Sequence, residues 1–246
     1  MTPPPILQLM TAVAGACIGS WVVTAAMRSA RSEPSMLGRS HCDGCGVTLG
    51  YAQTVPVLSY VGAGGRCSDC GGRIDPLHPA GEITGALIGL ASVMAASGWR
   101  AALLAGLGLC LLATSVIDLK TKRLSDVLTI AIAGLCAALA QTDGRLMIGA
   151  IAAVAALALL EGLRRLFQLV RRRSGLGFGD VKLIAALALW LGPATPWAIV
   201  LASLLGLGAF ATIRPKDGRL AFGAPIAAAA FVIGLVREAR LWPFPS

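Results

Sequence analysis

The chain has 246 residues, 56% of them hydrophobic and only 13% charged, with a formal net charge of +9 and a mean hydropathy of +0.77. That is more apolar surface than a water-soluble domain can bury, so the fold class expected is all-α, a polytopic integral membrane protein. The excess of bases does not mark a nucleic-acid partner, because Lys and Arg stand in short stretches between apolar runs and not on one polar domain.

In chain order the apolar runs cover approximately 5–27, 82–99, 101–119, 127–141, 146–170, 181–192, 195–213 and 220–236. A span needs roughly 20 residues, so the pattern predicts about eight transmembrane helices. The sixth run is short and Gly192-Pro193 interrupts it, which leaves the sixth and seventh open to being tilted, broken or partly re-entrant. The first run lacks a basic leader and is followed by Arg28 and Arg31, the pattern of an uncleaved anchor with its N-terminus outside. In that orientation seventeen of the 21 Lys and Arg residues face inward, and only Arg100, Arg145, Arg237 and Arg240 face outward. The expected location is therefore the cell membrane, multi-pass and surrounded by lipid, with loop 28–81 and the segments around Asp118 and Asp180 at the cytoplasmic face.

Loop 28–81 is the one stretch long and polar enough for a small soluble domain. It holds Cys42-Asp43-Gly44-Cys45-Gly46 and Cys67-Ser68-Asp69-Cys70-Gly71, two C-x-x-C-G knuckles with 21 residues between them. Each knuckle offers two thiolates to one metal, and the glycine after it lets the backbone turn so that amides point at sulfur. Cys42, Cys45, Cys67 and Cys70 would complete a tetrahedral zinc site with no open position, hence a structural one. The alternative is two disulfides or redox pairs, which a reducing cytoplasm disfavours. His41 reads as a solvated loop histidine, and Cys17, Cys110 and Cys136, inside apolar runs, read as small hydrophobes. The expected organisation is a first transmembrane helix at 1–28, a cytoplasmic zinc-binding domain at 29–81, and a membrane-embedded domain at 82–246.

Two acids at the mouths of apolar runs carry the candidate chemistry. Asp118 closes the third run, and Asp180 lies in Gly177-Phe178-Gly179-Asp180-Val181-Lys182 just before the sixth. Carboxyls at such positions are costly and are functional-site candidates by default. Brought together, two carboxyls cannot both ionise cheaply, so one keeps a proton while the other is a base, which is what water-mediated peptide hydrolysis requires. Gly177 and Gly179 would let a substrate backbone approach closely. A phosphate-loop reading of the glycines fails, because no strand precedes them and an aspartate at the helix mouth repels phosphate. Asp118 ends one helix and Asp180 begins another, so helix-end polarity would place the shared proton on Asp118. Lys182 is expected near Asp180, and Glu161 is expected to pair with Arg164 and Arg165.

These segments resemble the type IV prepilin peptidases, bifunctional leader peptidases and N-methyltransferases among the membrane aspartyl proteases with a G-x-G-D motif. The resemblance is carried by Gly19-Ser20-Trp21 with Arg28, Pro56-Val57-Leu58-Ser59-Tyr60, the second knuckle, His78-Pro79 with Glu82, Asp118-Leu119-Lys120 through Leu124-Ser125-Asp126, the Gly177–Lys182 segment, and Phe222-Gly223-Ala224-Pro225. It implies that Asp118 and Asp180 are the catalytic pair. It also implies that Asp126 supports them, capping the fourth transmembrane helix, and that Glu82 is a candidate methylation residue beside its plainer reading as a helix N-terminal acid. The implied substrate is a prepilin or pseudopilin precursor, cut on the cytoplasmic side after a glycine and then methylated from S-adenosylmethionine. Val23 stands where the family commonly has asparagine, and Ala52-Gln53-Thr54-Val55-Pro56 lacks its usual Asp-Asn. Both departures fall in the half associated with methylation, so the resemblance bears more directly on peptidase activity. The rival reading from another class is a non-enzymatic membrane assembly or transport protein with a zinc knuckle for docking. Paired acids in transporters usually lie near the midplane of repeated helices, and no internal repeat is visible here. A degenerate relative that binds pilin without processing it is a third reading.

Overall fold

The computed structural model describes residues 3–31, 33, 38–172, 175–213 and 220–239. Arg173, Arg214, Lys216, Arg219 and Arg240, counted in the charge distribution above, lie outside the described residues. Among those described the fold is all-helical, apart from two isolated β-bridges, and the eight apolar runs all appear as helices. The chain divides into two compact units, Met1–Met94 and Ala95–Ser246.

In the first unit, α1 (Pro5–Ala30) and α3 (Leu77–Ala95) are the long helices, and α2 (Leu58–Gly62) is a single turn in the loop between them. The long pair packs backbone on backbone. A Cβ built on Gly85 would lie 2.2 Å from the Gly15 carbonyl oxygen, and one on Gly89 would lie 2.2 Å from that of Thr11. In lipid, where apolar side chains gain nothing by leaving solvent, such close approach between small residues supplies the dispersion contact that holds helices together. Above the pair, the knuckles repeat one geometry: His41 bridges Thr48 and Arg66 bridges Arg73, each pair flanking its two cysteines in the same register.

The second unit is a bundle of six helices: α4 (Gly98–Thr121), α5 (Asp126–Thr142), α6 (Leu146–Arg171), α7 (Phe178–Leu191), α8 (Thr195–Ile213) and α9 (Gly223–Glu238). Its core gathers Leu104 and Leu107 from α4, Ile132 from α5, Leu183, Leu187 and Trp190 from α7, and Ala229 from α9. By contrast α6 buries only Gly149 and leaves Leu159 and Leu169 71% and 78% exposed. Apolar helix faces of this size are stable against lipid, not water. Four stretches are long and apolar enough to cross a membrane: Pro5–Ala30, Gly98–Thr121, Leu146–Arg171 and Phe178–Thr212. The last is divided at Gly192, whose φ of +54° and ψ of −128° only glycine tolerates well, followed by a 3₁₀ turn, Gly192–Ala194. At 14 residues, α7 is about 21 Å long, short of the ~30 Å hydrocarbon core. Gly206 of α8 meets the Phe222 ring beside the start of α9, so the chain reverses at Gly192 and α8 returns to the end from which α7 set out.

Candidate active site and metal centre

Asp118 lies in the last turn of α4 and is 4% exposed. Lys122 ends that helix in a left-handed conformation, φ 54°, with its N–H on the Asp118 carbonyl at 2.7 Å. The reversal sends the chain through Leu124 toward α5. Asp118 Oδ2 then accepts the backbone N–H of Gly223, the first residue of α9, at 2.7 Å. Pro225, two residues on, lacks an N–H in the first turn, where no intrahelical partner exists for one. This explains the Gly-Ala-Pro run: a Cβ on Gly223 would lie 2.8 Å from both Asp118 Oδ2 and Leu124 Cδ2.

Asp180 is the third residue of α7 and only partly buried, while Gly177 is the residue that caps the helix start. Asp180 turns back toward Gly177, its Oδ2 lying 2.9 Å from where a Cβ on that glycine would stand. Leu124 lies between the two acid-bearing segments, touching the Gly223 position and the Gly179 position, where a Cβ would meet Leu124 Cβ at 3.1 Å. The Asp118 and Asp180 carboxyls are within electrostatic reach of one another.

The structure bears on three expectations about this region. Gly177 and Gly179 also lie close to the protein's own atoms: the Asp180 carboxyl would lie 2.9 Å from a Cβ on Gly177, and Leu124 would crowd one on Gly179. Lys182 does not turn to Asp180; it pairs with Asp126 and lies 5.2 Å from the centre of the Phe178 ring. Asp126, in the first turn of α5, therefore ties α5 to α7 by an ion pair. Residues two apart on a helix point to different faces, which is why Lys182 was free to do so. The helix-end polarity gains a second helix. Asp118 closes α4 but also faces the start of α9, so an N-terminus opposes the C-terminus there, while Asp180 stands at an N-terminus alone. Glu161 does pair with Arg164 at 2.6 Å and Arg165 at 2.7 Å, and Arg164 also lies over the Phe178 ring, 5.1 Å from its centre.

In the first unit the four cysteine sulfurs of Cys42, Cys45, Cys67 and Cys70 all lie within 4.8 Å of one another, and Cys42 and Cys70 are 3.9 Å apart. A tetrahedron of 2.3 Å zinc–sulfur bonds has edges of about 3.8 Å, so the donor set fits such an ion. Gly46 and Gly71, with φ of +73° and +68°, turn each knuckle back so that their amides reach the carbonyls of Cys42 and Cys67. Backbone amides of Cys45 and Gly44 draw the Cys42 thiol down to about 7, which favours the thiolate a metal needs. His41 is not part of the cluster and contacts Arg28 at 3.2 Å. Asp43 is held by Arg31 at 2.9 Å and has His78 3.7 Å away, and the guanidinium keeps its carboxyl below the usual range.

Glu82 has a position the sequence did not reveal. It is 7% exposed at the start of α3, and it accepts the Ser20 hydroxyl and the Val57 N–H, both at 2.7 Å. Val57 has φ 62° and ψ −48°, an unfavourable conformation for a β-branched residue. Glu82 thus pins a strained loop residue to the α1–α3 pair, and Gly19 and Gly81 bring those helices close enough for Ser20 to join it. Val23, buried completely, fills the space over Gly81.

Family models match both units: residues 13–96 match the bacterial peptidase A24 N-terminal domain, and residues 104–211 match the type IV leader peptidase family. A type 4 prepilin-like proteins leader peptide-processing enzyme of Escherichia coli O78:H11 is 38% identical over 188 residues, covering 74% of this chain and 70% of that one. The chain belongs to the type IV leader peptidase family. A prepilin leader peptidase/N-methyltransferase of Burkholderia pseudomallei is 41% identical over 196 residues, or 76% of this chain, and the match spans 62% of that relative's length. One of the same name from Neisseria gonorrhoeae is 35% identical over 202 residues, covering 79% of this chain and 70% of its own. No solved structure matches the chain.

Proposed function

We propose that this protein is an aspartyl endopeptidase of the cell membrane that removes the basic leader of type IV prepilins or pseudopilins at the cytoplasmic face. The observation that carries this reading is the convergence of Asp118 and Asp180, from α4 and α7, about the Leu124 side chain at one end of a lipid-adapted bundle. One carboxyl, ionised, takes a proton from water as its oxygen adds to the scissile carbonyl carbon. The other, protonated, gives its proton to the carbonyl oxygen. Collapse of that adduct breaks the C–N bond and hands a proton to the leaving amine. The buried Asp118 is held by Gly223, and the partly exposed Asp180 is the side from which water and substrate enter. The supporting residues are Gly177, Gly179, Lys182 and Asp126, which shape and tie the two segments.

The proposal divides the chain into an outward-starting first helix at 1–28, a structural zinc domain at 29–81 and the peptidase at 82–246. The names of the relatives support a second step, N-methylation of the new terminus from S-adenosylmethionine. Each Glu82 oxygen already accepts one bond, from Ser20 or from Val57, which favours a structural role for it beside any part in methyl transfer. Co-expression with candidate precursors, followed by mass spectrometry of the mature N-terminus, tests cleavage and methylation together. Precursors that keep their leaders beside abundant wild-type protein would leave the assembly or transport reading in its place.

A further inference from the structure

The helices that carry the acid pair are also fastened together at their opposite end, by charges the proposed chemistry does not use. Arg100, near the start of α4, donates from Nε and Nη2 to Glu238 at 3.0 and 2.7 Å, and its Nη1 lies 2.9 Å from Asp143 Oδ1 just past α5. Glu238, the last residue of α9, also accepts the Trp190 indole N–H of α7 at 3.0 Å. Arg237 donates to the closing carbonyls of α7, those of Trp190 and Leu191, and lies 3.3 Å from Asp143 Oδ2. The side chains of Glu238 and Arg237 are only 7% and 9% exposed.

We infer that this network is a register clamp, a set of positioning residues that fixes how far α4, α7 and α9 are displaced along one another and so delivers Asp118 and Asp180 to a common point. The inference rests on the peptidase reading for its consequence but not for its geometry. Between the two ends the bundle interior is apolar, with Leu104, Leu107, Leu187 and Ala229 in contact range of one core. In lipid such surfaces resist sliding weakly, because an apolar side chain loses little by exchanging a protein neighbour for an acyl chain. A slide of one residue moves a helix about 1.5 Å, enough to break the 2.7 Å contact between Gly223 and Asp118. The antiparallel α4 and α9 are locked at both ends: Asp118 meets Gly223 at one, and Arg100 meets Glu238 at the other, about 27 Å away along α4. Among the described residues, the site end joins these two helices through the Asp118 carboxylate and the backbone at the start of α9, whereas the far end has a guanidinium fork held between Glu238 and Asp143. The far end therefore sets the register and the site end inherits it. Arg237, by binding the last carbonyls of α7, brings Asp180 under the same control.

The test uses full-length protein in liposomes with a prepilin substrate, and two variants that retain shape: Glu238→Gln, which keeps an acceptor for the Trp190 indole but removes the negative charge opposite Arg100, and Arg100→Lys, which keeps the positive charge but loses the fork. Each is expected to lower kcat at least tenfold with KM for the precursor changed less than twofold. The carboxyl infrared band of Asp118, assigned in isotope-labelled protein by its loss in Asp118→Asn, is expected to shift in both variants as the Gly223 hydrogen bond lengthens. Variants that melt at lower temperature yet retain wild-type kcat and an unshifted Asp118 band would reduce the network to a stabilising ion cluster and overturn the clamp. Should wild-type protein cleave nothing, the peptidase reading fails by itself, and the infrared band alone decides the clamp: a shift upholds it and an unmoved band refutes it.

Discussion

In the knuckle loop every cysteine of the cluster, and every turn that presents it, comes from residues 41–48 and 66–73, two short stretches that repeat one backbone geometry. The acid pair is assembled from Asp118, Leu124, Asp180 and Gly223, with 105 residues separating the two partners of a single hydrogen bond. A site of the first kind can be read from spacing, because the chain between the ligands is itself the scaffold. A site of the second kind shows its reactive residues but not what holds them, since the scaffold is the packing of whole helices. The difference also divides chemistry from stability: replacing a reactive acid should abolish reaction in an intact fold, whereas replacing a knuckle cysteine should unmake a small domain and spare the reaction.

The largest effect is expected at the acids. Asp118→Asn and Asp180→Asn each keep shape while removing the titrating proton, and each should slow leader removal by about a thousandfold or more with membrane insertion unchanged. Gel mobility of a co-expressed precursor reads the loss directly. Full processing by either variant would remove the aspartyl mechanism.

Next comes the metal. Purified, reduced protein should carry about one zinc per chain, and Cys67→Ser should lose it and leave the loop open to proteolysis, since a domain this small depends on its ion for folding. Cleavage of a precursor should survive in that variant, because the acids belong to the other compact unit. Metal analysis that finds no zinc, or a Cys67→Ser protein with an unchanged loop, would break the contrast between the two regions.

Glu82 tests the same contrast inside one residue. Removal of both acceptor oxygens in Glu82→Ala strands the Val57 N–H and frees a strained residue, at a cost of about 3 kcal/mol. Glu82→Gln retains an acceptor for Val57 and can donate to Ser20, and should cost about 1 kcal/mol. Thermal unfolding of the loop reads both. Loss of N-methylation in Glu82→Gln with an undisturbed loop would instead assign the carboxylate a chemical part.

The legible share of the molecule follows from this. Eight apolar runs became eight helices because lipid requires continuous apolar length, a property of local sequence. The cysteine cluster followed from spacing, and the position of Asp118 and Asp180 at helix mouths followed from where apolar runs stop. What stayed hidden was every partner chosen in three dimensions. Leu124 looks like any turn leucine, yet it explains two glycines. Arg100 and Arg237 read as bases flanking membrane spans, and nothing local reveals that they meet Asp143 and Glu238. Lys182 sits two residues from Asp180 in sequence, and that proximity misled, because the helix turns it toward α5.

The smallest effect is expected at that same lysine's partner. Asp126 pairs with Lys182, but the Asp126 side chain is 70% exposed, so water competes for both ions and the pair contributes at most about 1 kcal/mol. Asp126→Asn keeps an acceptor for the ammonium and should lower leader cleavage by no more than about fivefold, a factor that added salt should shrink further, since screening already weakens the pair in the parent protein. Combined with Lys182→Met, it should cost no more than the single lysine change, as expected when two side chains act on the site only through each other. An Asp126→Asn protein as inactive as the Asp118→Asn variant would mean that a third carboxyl touches the substrate or the water, and the nonlocal site would then have to be rebuilt around three acids.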